Sequence, residues 1–94
     1  MELRIDRRCK TAYDNNGHKI EKHIVRVYNE YNVEYEFYNE DSALDFIDTV
    51  SKFNKRGFYD KLTGYEFDMK LDSLRNQIVN NFYLSQHDEV TKWN

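Results

Sequence analysis

Proline is absent from this chain, and glycine occurs only at Gly17, Gly57 and Gly64. With so few, each glycine is expected to mark a break between elements. Cys9 is the only cysteine, so no internal disulfide can staple the fold, and a reducing, cytoplasmic setting is expected. No apolar run approaches the roughly 18 residues of a membrane span. The opening Met1-Glu-Leu-Arg-Ile-Asp-Arg-Arg lacks the apolar stretch of a secretory signal. Neither GxGxxG nor GxxxxGKS/T occurs, so no phosphate-cradling loop is expected. His18 and His23 stand five apart without paired cysteines or a second histidine on one helix face, so no metal site is expected. Cys9 falls on the apolar parity of the first strand with Leu3 and Ile5, and reads as a small buried core residue. Nothing combines a nucleophile, a base and a cleft, so no catalytic residues and no cofactor are expected.

What the chain does have is ring area. Hydrophobic residues are 39%, a low share for a globular domain, but aromatics are 16% and supply large buried area with few side chains. Ninety-four residues make one domain. Its expected extent is 1–84, followed by a polar tail at 85–94.

Leu3, Ile5, Cys9, Thr11 and Tyr13 alternate with Arg4, Asp6, Arg8 and Lys10, which is strand periodicity. Asp14-Asn-Asn-Gly17 is a turn. A second strand runs from about Lys19 to Tyr28. Its phase shifts near Ile24 and Val25, as a bulge or burial on both faces would produce. Val33, Tyr35 and Phe37 then alternate with Glu34, Glu36 and Tyr38 in a third strand. Asn39, Asp41 or Ser42 can cap a helix, and Ser42-Ala-Leu-Asp45 has the form of a capping box. Ala43, Phe46, Ile47, Val50 and Phe53 share its inner face, and Gly57 stops it. Residues 58–67 read as a short hairpin or an ordered loop. A second helix is expected from about Asp68 or Asp72 to Tyr83, with Leu71, Leu74, Ile78 and Phe82 inward. The fold class is α+β: a three-stranded antiparallel meander followed by two helices on one face, β-β-β-α-α.

Charge is unevenly placed along this order. Residues 1–28 hold seven basic and four acidic side chains, whereas residues 29–51 hold seven acidic and no basic ones. Glu34, Tyr35, Glu36, Tyr38, Glu40, Asp41, Asp45 and Asp48 interleave carboxylates with rings, and repulsion makes such a block costly unless something positive meets it. These eight residues are the expected partner-binding set. Arg4, Arg8, Lys10, Lys22 and Arg26 could instead line the polar face of the first two strands and meet nucleic acid, with Tyr13 and Tyr28 as stacking rings. A third arrangement is a homodimer joined through a sheet edge.

His23-Ile-Val-Arg-Val-Tyr-Asn29, the Glu34-Tyr35 pair, the run Asn39-Glu-Asp-Ser42, and the helix leading to Phe53-Asn-Lys-Arg-Gly-Phe58 resemble the small acidic phage anti-CRISPR proteins that inhibit type II-A Cas9. The resemblance spans about residues 23–58. It implies a non-enzymatic DNA mimic, phage or mobile-element encoded and acting in the bacterial cytoplasm. Its carboxylates would occupy the arginine-lined cleft that reads the short motif beside the target. Carried over by position, Glu34, Glu36, Glu40 and Asp41 would be the phosphate or base-edge mimics. The expected function is an inhibitor of a basic, nucleic-acid-binding host protein such as Cas9. The alternative is a small nucleic-acid-binding accessory domain using the basic strands.

Overall fold

Two turns fold the first third of the chain into a sheet. Strand β1 (Arg4–Tyr13) returns as β2 (Lys19–Tyr28) through a turn organised by Asp14. The Asp14 carboxylate accepts from the backbone N–H of Asn16 at 2.9 Å and of His18 at 2.8 Å. Gly17 closes this turn at φ 81°, in the left-handed region that glycine enters without a Cβ clash. β2 leads to β3 (Asn32–Phe37) through a second turn, where the Asn29 side chain accepts from the Tyr31 N–H at 2.7 Å. The computed structural model describes the backbone of residues 3–92 and the side chains of residues 3–82. Within it the strand order is β1-β2-β3, antiparallel throughout.

The β1–β2 register is unbroken from Arg4↔Tyr28 to Tyr13↔Lys19. The phase shift in the sequence is therefore burial on both faces rather than a bulge. Val25 and Val27 are fully buried on the helix side, and Ile24 is 7% exposed on the other. Register places Arg8 and Glu36 beside Ile24, so the stems of charged residues roof an aliphatic side chain that no helix covers.

Helix α1 (Glu40–Lys55) starts at Asn39, whose side chain accepts from the Ser42 N–H at 3.1 Å. The capping box expected at Ser42 and Asp45 does not form, because Ser42 already lies in the first helical turn. At the other end the Phe58 N–H donates to the Phe53 carbonyl and the Gly57 N–H to the Asn54 carbonyl, with Gly57 at φ 76°. This is the Schellman pattern, and its usual apolar contact is the Phe53–Phe58 ring pair at 5.0 Å. Turns occupy residues 56–61, so no hairpin forms there.

Helix α2 (Gly64–Lys92) begins earlier than the apolar spacing implied. Thr63 and Glu66 form the reciprocal capping box: the Glu66 N–H donates to Thr63 Oγ1 at 3.2 Å, and the Thr63 N–H donates to Glu66 Oε1 at 3.4 Å. Its backbone stays helical to Lys92, past the Tyr83 boundary expected from the sequence. The side chains of the expected tail fall outside the described residues.

The core lies between the sheet and the two helices. Val25, Val27 and Phe37 meet Ala43, Phe46 and Val50 of α1 and Phe67, Leu71 and Ile78 of α2. Gly64 sits close under Tyr31, where an added Cβ would lie 2.7 Å from Cε1. Beyond this core the hairpin overhangs. β3 pairs with β2 only as far as His23↔Phe37, so residues 10–13 and 19–22 form a two-stranded ribbon. Cys9, on the edge strand at the root of this ribbon, is exposed and not buried as its parity suggested.

Candidate interaction surfaces

The acidic block divides between two outer surfaces of the molecule. Side chains alternate across a strand. In β3 the odd residues Val33, Tyr35 and Phe37 therefore turn to the helices, and Glu34 and Glu36 turn to the open face of the sheet. α1 lies on the helix side. Its exposed residues Asp41, Leu44, Asp45 and Asp48 follow one outer stripe, at spacings of three and four. The eight expected partner-binding residues thus do not form one face.

Three of their carboxylates are met from within the chain. Glu34 stands 3.7 Å from Arg8, Glu40 stands 3.5 Å from Arg7, and Asp48 stands 3.0 Å from Lys52. Among the described residues, Asp41, Asp45 and Glu36 have no side-chain cation within 4.0 Å. Leu44 lies between Asp41 and Asp45 and is 45% exposed. The α1 stripe therefore combines uncompensated negative charge with an apolar side chain in water.

Tyr35 is not a surface ring. It packs edge-on against Phe46 with centroids 5.5 Å apart, and its hydroxyl has no hydrogen-bond partner among the described residues. Burial, and then the carboxylates of Asp68 and Asp72, hold its ionisation above the ordinary tyrosine range against the opposing Arg75. Those two aspartates bring acidic charge to the β3 edge, and the expected partner-binding set did not include them. Their i, i+4 spacing was visible, but the contact with β3 arises only when α2 docks. Arg75 also donates to the Glu36 backbone carbonyl at 3.2 Å. Tyr38 is exposed, with Lys22 5.9 Å from its ring centre.

The open sheet face collects the basic residues. Register puts Arg4, Arg8 and Lys10 of β1 on the same side as Lys22 and Arg26 of β2, with Asp6, Glu34 and Glu36 among them. Arg26 stacks over Tyr28 at 4.2 Å and donates from Nε to the Asn32 side chain at 2.9 Å. Asp6, Arg7, Arg8, Ile24, Arg26 and Glu34 line a shallow concavity of about 350 Å³ here.

At the root of the overhanging ribbon, Cys9 Sγ lies 3.3 Å from His23 Nδ1, and His23 Nε2 lies 4.0 Å from Glu21 Oε2. Among the described residues, no three His, Cys, Asp or Glu side chains converge as a metal would require. In the same residues no helix is long and apolar enough to cross a membrane. No family model matches the chain, and no curated protein or solved structure shows significant similarity to it.

Proposed function

We propose that this protein is a non-enzymatic inhibitor that docks the outer face of α1 onto a basic nucleic-acid-binding protein. The supporting observation is the stripe Asp41, Leu44, Asp45 and Asp48, acidic and exposed, with two of its carboxylates unpaired among the described residues. Helical spacing holds the carboxylates on a rigid element, as a mimic of regularly spaced phosphates needs. Leu44 adds apolar area that charge alone lacks. A phage-encoded DNA mimic acting on Cas9 is the sharpest form of this reading. Glu34 and Glu40 contribute less to it, because Arg8 and Arg7 already answer them. Tyr35 acts only by supporting α1 from the core.

The test measures inhibition of target-DNA binding by a type II-A Cas9–guide complex. Asp41→Lys with Asp45→Lys lowers affinity at least tenfold, and raising the salt narrows the gap to wild type. Glu34→Lys with Glu36→Lys has the smaller effect. A folded Asp41→Lys/Asp45→Lys protein with undiminished inhibition would refute the α1 surface, and a wild-type protein that leaves Cas9 unaffected would refute the Cas9 target.

A second reading rests on the open sheet face, where five cations and the Arg26–Tyr28 stack could meet a single-stranded nucleic acid. A low-salt gel shift that is lost on Arg4→Glu with Arg8→Glu selects this reading; no shift with wild type discards it.

A further inference from the structure

The root of the overhanging ribbon places a thiol, an imidazole and a carboxylate in sequence, and the acidic-helix reading uses none of them. The geometry points to Cys9 as a nucleophilic thiol that exchanges with low-molecular-weight disulfides, with His23 as its proton acceptor.

Four features carry this. First, Cys9 and His23 are directly paired across β1 and β2, which fixes their side chains on one face. Sγ and Nδ1 are 3.3 Å apart, within hydrogen-bonding reach for sulfur. Second, His23 is 4% exposed and has Phe37 across from it on β3, so the ring has little freedom to leave the thiol. Third, its far nitrogen faces the Glu21 carboxylate at 4.0 Å, which favours the ring orientation that turns Nδ1 to the sulfur. A nucleophile beside a base that a third group orients is the general pattern of an activated side chain. Fourth, β1 is an edge strand and Cys9 is exposed. A disulfide can thus approach the sulfur along the line of attack with no neighbouring strand in the way.

The other charged groups near this face are Arg7, two residues before Cys9 on the same side of β1, and Glu40 of α1, which pairs with Arg7. From α2, Arg75 lies over the Phe37 ring at 5.9 Å.

The step is a balanced exchange. The Cys9 S–H proton passes to His23 Nδ1, and the thiolate attacks one sulfur of an external disulfide. The Cys9–sulfur bond forms as the external S–S bond breaks. The released thiolate takes the proton back from His23. Cys9 is oxidised to a mixed disulfide and one half of the reagent is reduced to a thiol, with no further reactant. Because the chain has no second cysteine to resolve it, the product is a mixed disulfide that persists until an external thiol reverses the exchange. Exchange is therefore a modification of the ribbon's root and not a turnover.

The experiment follows adduct formation by mass spectrometry with oxidised glutathione and with the uncharged hydroxyethyl disulfide, from pH 6 to pH 9. Folded wild type is compared with the same chain unfolded in urea, and with His23→Gln. Below pH 7, folded wild type is expected to react at least roughly tenfold faster than the unfolded chain with both reagents, a modest share of what a positioned base can supply. His23→Gln is expected to lose that advantage at low pH and to approach wild type near pH 9. Use of the uncharged reagent separates proton transfer from attraction of the glutathione carboxylates to Arg7. Equal rates for folded and unfolded wild type would overturn the assignment even if His23→Gln failed to fold. So would a folded His23→Gln that reacts like wild type below pH 7.

Discussion

The two ends of the β1–β2 hairpin are written in much the same alternating pattern and end in opposite environments. At the end near the helices, Val25 and Val27 are fully buried, and Ile5 packs beside them. At the far end, Thr11 and Tyr13 keep the same parity but are exposed, because β3 stops at Phe37, and Cys9, level with Phe37 at the boundary, is exposed on the edge strand. The near end serves the core and the far end is free to present chemistry. Alternation tells which residues share a face; whether that face is buried depends on how far the covering layer reaches.

The comparison can be broken most directly at Phe46. Its fully buried ring contacts Phe37 at 5.3 Å and Tyr35 at 5.5 Å. Phe46→Ala should cost about 3–5 kcal/mol, which a urea titration would read as loss of most of the stability of a domain this small. A loss below about 1 kcal/mol would mean that the helices do not define the core.

Alkaline pH attacks the same layer without mutation. Burial pushes Tyr59 from 10.0 up to about 12, and Tyr35 rises for the reasons given above. A phenol whose ionisation is raised on folding stabilises fully below its unfolded value, and that contribution is lost as pH rises through the folded one. Stability should therefore fall between pH 10 and 12, with the Tyr59 part absent in Tyr59→Phe. Ultraviolet titration should show a late-ionising tyrosine signal that shrinks in Tyr59→Phe; its absence would contradict this.

Gly64→Ala sharpens the comparison at the join between the sheet and α2. Its Cβ would collide with the Tyr31 ring, which also contacts Phe67 with centroids 5.9 Å apart. The expected loss is about 1–3 kcal/mol, read by thermal unfolding. Tyr31→Ala in the same background should recover part of it by opening the space. At the far end, Tyr13→Ala should change stability by no more than about 0.5 kcal/mol, since its ring is 69% exposed. A larger loss would show that the ribbon belongs to the core.

Much of the architecture was legible because it is local. Asp14-Asn-Asn-Gly17 specified one turn, Gly57 ended α1, and Ala43, Phe46 and Val50 marked its buried face. Thr63-Gly-Tyr-Glu66 was equally readable as a capping box, and it is the signal that would have placed the start of α2 and put Phe67 in the core. The surfaces were less legible. Neighbours in sequence such as Glu34 and Tyr35 part to opposite sides of the sheet, and Glu34 and Asp45 reach different outer surfaces although both belong to one acidic run.

By itself the sequence determined the order of elements, the turns between the strands and the parity of each strand, because these follow from backbone preference and from periods of two and 3.6 residues. The tertiary structure alone decided which charges answer one another. Arg8 meets Glu34 and Arg7 meets Glu40, while Asp41 and Asp45 meet no cation among the described residues. It also decided that Cys9 stands at the surface beside a buried histidine. The physical reason is the same in each case: charge pairing and burial depend on distances across strands and layers, and those distances are set only when the pieces dock.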